Sequence, residues 1–174
     1  LVFGGLTTVW QEFTGFAPDP IVIEMPQVSA ALIRFDLTAG YWQTLRPSGN
    51  PPVPRFRHSA IVVNSRAAMI VWGGFTVWPL HGDEPGVVQP GWDERCSNEL
   101  HLLDLHTLTW AMPAVRGDPP LPRGGHAAVV VGDHMLILGG CDGGEEAEEG
   151  EERDDRFVER DLADVRALDT SNWE

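Results

Sequence analysis

Pro122-Arg123-Gly124-Gly125-His126-Ala127-Ala128-Val129-Val130-Val131-Gly132-Asp133-His134-Met135-Leu136-Ile137-Leu138-Gly139-Gly140 decides the architecture, because the chain writes the same phrase once before. The earlier copy is Pro54-Arg55-Phe56-Arg57-His58, an apolar run, and Gly73-Gly74. Other landmarks keep step: Asp36, Trp42 and Pro54 recur 68 positions later as Asp104, Trp110 and Pro122. A third copy shows in part, as Gly4-Gly5 near the start and Asp169 and Trp173 near the end. From the second glycine of each pair to the aspartate the chain takes 31 residues, then 30, then 29. Self-similarity at such a period marks a repeat architecture.

Within each phrase the local pattern is that of strands. His58-Ser59-Ala60-Ile61-Val62-Val63 and His126 to Val131 are short, β-branched apolar runs bounded by turn formers, as buried strands are. Gly132-Asp133 suits a tight hairpin returning through His134 to Leu138. The matching turn after Val63 is two residues longer. A third strand is predicted at Leu32 to Asp36, Leu100 to Asp104 and Val165 to Asp169, and a fourth around Trp42 or Trp110. Four short antiparallel strands per unit, without helical periodicity between them, predict an all-β fold of propeller blades.

These residues carry a resemblance. The chain resembles the kelch-repeat family, whose blade has an Arg and a His before the first strand, a glycine doublet closing the second, and an aspartate ending the third a few residues before a tryptophan. The matching positions are Gly4, Gly5, Asp36 and Trp42; Arg55, His58, Gly73, Gly74, Asp104 and Trp110; and Arg123, His126, Gly139, Gly140, Asp169 and Trp173. The resemblance implies a partial blade over 1–46 and blades over 47–115 and 116–174, a fragment of a larger ring truncated at both ends. Two features depart from the pattern: the period of 68 exceeds the ~50 of kelch repeats, and the turn from Asp169 to Trp173 is shorter than that from Asp104 to Trp110. In such a blade the doublet turns where a side chain would strike the neighbouring blade. The tryptophan is expected as an apolar plate between sheets, its N–H left to bond a loop.

Composition narrows the function. A net charge of -14 argues against nucleic acid and against an anionic membrane surface. All twelve basic residues are Arg, which fits the codon bias of a GC-rich gene. No apolar run approaches membrane-spanning length, so no membrane insertion is expected, and a cytoplasmic location is the default. Cys96 and Cys141 leave one bridge open but rule out a disulfide framework. His58 and His126 recur by symmetry around a ring, whereas catalytic groups converge on one point, so a repeated structural task is expected of them. His101 and His106 lack a third ligand at zinc-like spacing. No catalytic residue, cofactor or metal is expected.

The long period comes from insertions between second and third strands, approximately Leu6 to Ala30, Phe75 to Asn98 and Cys141 to Ala163. With the proline-rich stretches Arg46 to Pro54 and Arg116 to Pro122, they are expected as loops crowding one face of a disc, where binding usually resides. Trp78, His81, Trp92 and Arg95 of the middle insertion are the candidate contacts for a protein partner, being types enriched at interface hot spots. The bland alternative is that these tryptophans cover the blade. Glu145 to Arg156 holds eight acids and two bases, and reads as a solvated, disordered loop or as a lure for a basic partner. The resemblance thus implies a non-catalytic interaction scaffold or adaptor. Its alternatives are a propeller of a kelch-containing oxidase or specifier-like enzyme with its site elsewhere, or the recognition module of a ubiquitin-ligase adaptor.

Overall fold

The computed structural model describes residues 1–13, 21–81, 88–143 and 160–171, whose regular elements are all strands apart from one 3-10 turn. The first unit contains β1 (Val2–Phe3), β2 (Leu6–Phe13), β3 (Ile21–Val28), β4 (Leu32–Asp36) and β5 (Tyr41–Leu45). The second contains β6 (Ser48–Gly49), β7 (Ser59–Val63), β8 (Ala68–Trp72), β9 (Phe75–His81), β10 (Val88–Cys96), β11 (Leu100–Asp104) and β12 (Thr109–Ala111). The third contains β13 (Ala127–Val131), β14 (His134–Leu138), β15 (Cys141–Asp142), β16 (Arg160–Asp161) and β17 (Val165–Asp169). Among the described residues no helix is long and apolar enough to cross a membrane.

Three main sheets follow, ordered β1-β4-β5, β7-β8-β11-β12 and β13-β14-β17. Their strands pair antiparallel, with Ile61 opposite Ile70, and Ile70 opposite Leu102, in the middle sheet. The corresponding register in the third runs Val129, Leu136, Ala167. The Gly132-Asp133 hairpin is present with Gly132 at φ 61, and the longer turn of the second unit is a 3-10 turn, Asn64–Arg66, closed by Ala67 at φ 46.

Alternation along each strand sends neighbouring side chains to opposite faces, so a strand between two others in a stack is buried on both sides. Every residue of β8 is buried for this reason. Met69 and Val71 join Phe3, Leu32, Leu103 and Trp110 in the seam between the first and second sheets. Ile70 and Trp72 join Val63, Met135 and Ile137 in the seam between the second and third. The core is therefore a series of seams between stacked sheets.

Four expectations need amendment. The insertions are not simple loops: β2 pairs β3, β9 pairs β10 and β15 pairs β16, each a two-stranded ribbon. A short strand that no pattern announced, β6, runs parallel to β12 on the outer edge of the middle sheet. Trp110 is the expected plate, edge-on to Phe3 at 5.3 Å, but its Nε1 is buried without a partner among the described residues. Trp42 instead is 59% exposed and packs on Phe35 of its own sheet, because among the described residues no sheet neighbours its face. Trp173 and the acidic stretch lie outside the described residues.

Candidate functional site

The Arg-x-x-His phrase builds the joints of the stack. Arg55 is fully buried, and its planar guanidinium donates Nε to Val53 O at 3.2 Å, Nη1 to Gly73 O at 3.0 Å and Nη2 to Glu99 Oε2 at 2.7 Å. Arg123 repeats the pattern with Leu121 O at 3.2 Å, Gly139 O at 3.0 Å and Asp164 Oδ2 at 3.1 Å. A forked cation that satisfies two carbonyls and a carboxylate at once can be buried without an orphaned charge. Hydrogen bonds from Arg123 and then Arg166 hold the Asp164 carboxyl far below the usual carboxylate range. Glu99 is lowered in the same way, first by Arg55. The acids Glu99 and Asp164 escaped sequence reading. The available signal was an acid five positions before both Asp104 and Asp169.

The same phrase reaches back to the preceding sheet. Gly5 N donates to Arg55 O at 3.1 Å, and Gly74 N to Arg123 O at 2.8 Å. A Cβ on Gly73 would stand 2.8 Å from Arg123 O and 2.9 Å from His126 Cε1; on Gly4 it would stand 2.8 Å from both Arg55 O and His58 Cε1. The histidine of one sheet thus occupies the space that the missing side chain leaves in the sheet before it. His126 adds a Ser59 Oγ contact at 2.9 Å and stands edge-on to Trp72 at 4.7 Å, while His58 stands edge-on to Phe3. Burial, then Arg123, pushes His126 down to about 4, and burial first also lowers His58. Ser59 and His126 have the spacing of a nucleophile and its base, but both are buried, each 9% exposed, where the second and third sheets meet. The motif aspartates are turn caps: Asp36 Oδ1 accepts from Thr38 and Ala39 N–H, and Asp104 Oδ1 from His106 and Thr107 N–H. His101 Nε2 lies 3.4 Å from Glu99 Oε2.

The insertion ribbons meet at their bases. Val28 of the first, Phe75, Val77 and Cys96 of the second, and Cys141 of the third pack with Phe56 in a single apolar cluster, so the ribbon bases touch across units. Neither Cys96 nor Cys141 is in a disulfide; burial, then the neighbouring Cys141, pushes Cys96 up to about 12. Trp78 and His81 fall on β9, and Trp92 and Arg95 on β10. Asp93 is registered opposite Trp78, Trp92 opposite Pro79 and Arg95 opposite Thr76. By that register the Trp78 and Arg95 positions share one face of the ribbon and the Trp92 position belongs to the other. Val88 is registered opposite His81 beyond an irregularity in the pairing.

Comparison with known proteins accords with this geometry. Residues 21–174 match the family described as the KLHDC2/KLHL20/DRC7 Kelch-repeats domain. The chain is 34% identical over 107 residues to acyl-CoA-binding domain-containing protein 5 of Arabidopsis thaliana, covering 62% of the chain and 14% of that protein. It is 40% identical over 102 residues to the Rab9 effector protein with kelch motifs of Rattus norvegicus, covering 59% and 24%. Kelch domain-containing protein 3 of the same species is 32% identical over 109 residues, covering 63% and 24%. The chain therefore spans between 14% and 24% of the length of these relatives. With the repeated glycine, arginine and histidine positions built into the joints of stacked antiparallel sheets, the chain belongs to the kelch-repeat family, and its sheets are blades of a β-propeller.

Proposed function

We propose that this kelch module is a non-catalytic scaffold or adaptor that holds a protein partner on the face carrying the insertion ribbons. The observation that supports the reading most directly is the shared cluster of Val28, Phe75, Cys96 and Cys141, which gives three otherwise separate ribbons a common base. A rigid frame with protruding segments anchored side by side suits recognition of a surface larger than one blade. Trp78, His81, Trp92 and Arg95 are the proposed contacts, with tryptophan and arginine as the energetically dominant types. The name of one relative describes an effector of Rab9, a role of the same general kind.

The test is affinity capture of a partner with the whole protein, followed by titration of two variants. Trp78→Ala with Trp92→Ala should weaken binding by ~2 kcal/mol or more. Deletion of Glu145 to Asp155 should leave affinity at physiological salt nearly unchanged, because exposed charges are screened beyond ~8 Å. The opposite pair of results, with folding confirmed, would move the contact to the acidic segment and point to a basic partner.

A further inference from the structure

Between the second and third sheets, beneath the segment that crosses from β12 to β13, lies a cleft of about 170 Å³. Trp72, Leu100, Ile137 and Leu168 line it from the two sheets, and Pro119 and Pro120 from the crossing segment. Asn98 Nδ2 donates to Pro120 O at 3.3 Å and pins that segment over the seam. The volume selects the kind of occupant. Sites for drug-sized molecules and cofactors run to roughly 300–1,000 Å³, whereas an apolar cavity of about 150 Å³ accepts a group the size of benzene. This cleft is sized for one bulky side chain.

Its remaining lining includes Arg116, Asp118 and Arg166. Arg116 is exposed and makes no hydrogen bond or ion pair among the described residues. Arg166 is 51% exposed at its side chain and gives Nε to Asp164 at 2.8 Å, with no bond from its terminal nitrogens among the described residues. Asp164 is shared between Arg166 and the buried Arg123, so three cations stand against Asp118 and Asp164 and leave this lining with a net positive charge in a chain of net charge -14. Charges farther off than ~8 Å are screened at physiological salt, so the local pair decides what approaches. The crossing segment also presents Val115 in the cleft lining and, along the same stretch, Met112 and Leu121, each about half exposed. Apolar side chains spread along about ten residues of backbone suit an extended peptide better than a compact small molecule.

We infer that this inter-blade cleft docks a partner peptide, one bulky apolar side chain filling it while an adjacent carboxylate side chain meets Arg116 and Arg166. The site is separate from the ribbon residues, so it stands whether or not they bind a partner.

The experiment is fluorescence anisotropy of the whole protein with the labelled peptide Ser-Gly-Asp-Phe-Glu-Gly-Ser. Saturable binding is expected, and replacing the peptide's phenylalanine by alanine should weaken it about tenfold or more, the cost of leaving such a ring unburied. Arg116→Glu, an exposed change, should weaken the acidic peptide by roughly fivefold and favour a version with lysines in place of both acids. Absence of saturable binding, equal affinity for the alanine peptide, or an Arg116→Glu effect within about twofold would overturn the assignment. Binding of decanoate without binding of the peptide would also overturn it, in favour of a small hydrophobic carboxylate.

Discussion

Gly73 and Gly139 hold the same motif position in different surroundings. Both have positive φ, 68 and 61, but a Cβ on Gly73 would strike Arg123 O at 2.8 Å, whereas on Gly139 the nearest atom is Leu162 O at 3.3 Å. Gly139→Ala should therefore cost about the strain alone, on the order of 1–3 kcal/mol. Gly73→Ala should cost clearly more, since backbone cannot yield as a flexible side chain does; equal shifts in urea midpoint would contradict the joint. The buried histidines set a pH response. His126 titrates near 4 in the fold against 6.5 unfolded, so above pH 6.5 it is neutral in both states and contributes no slope. As pH falls from 6.5 to about 4 only the unfolded chain takes up the proton, and up to ~3 kcal/mol of stability is lost. His126→Gln should reduce the slope of unfolding free energy across that window, leaving the slope from His58 and His101, which are lowered in the same direction. The arginines, histidines and glycines were legible because identity recurs at them. Glu99 and Asp164 were not, since the residue type changes between units and the first unit has Ala31 there.

At the scale of elements, the ribbons and the blades should separate experimentally. Val77 is registered opposite Glu94, so residues 78–93 can be replaced by an Asn-Gly turn that matches a two-residue hairpin. Phe75, Val77 and Cys96 remain to fill the cluster at the base. The excised protein is expected to keep a melting midpoint within a few degrees of the parent while losing the captured partner, which calorimetry and a binding titration would check together. A collapse of the midpoint would make the ribbon part of the blade's core. That β9 and β10 are strands was hard to read, because Pro79 and Pro90 interrupt the alternation and proline is poorly placed in a ladder. β6 left no trace at all: two residues carry no periodicity, and Gly49 is defined only by what surrounds it. A Cβ there would stand 2.2 Å from Trp110 O, so the strand exists because glycine lets it lie against β12.

Across the whole molecule, the stacked frame was legible from the repeat, while the state of its outer faces depends on what covers them. Val129, Val131, Leu138 and Val165 share one exposed face of the third sheet, by the register that pairs β13, β14 and β17. The matching face of the second sheet is covered by Met135 and Ile137 of the third. Residues 1–174 made alone should therefore self-associate with rising concentration, and Val131→Lys with Val165→Lys should reduce it, as sedimentation velocity would show. A monomer at all concentrations would contradict this reading. The fit of each histidine into the glycine of the sheet before it also has a direction in time. Gly4 meets His58 and Gly73 meets His126, 54 and 53 residues later. At roughly 5–20 residues per second on the ribosome, that spacing is a wait of about 3 to 10 s. Each blade thus leaves the ribosome with its joint unfilled and is locked only by its successor, so the nascent chain matures one blade behind its own synthesis.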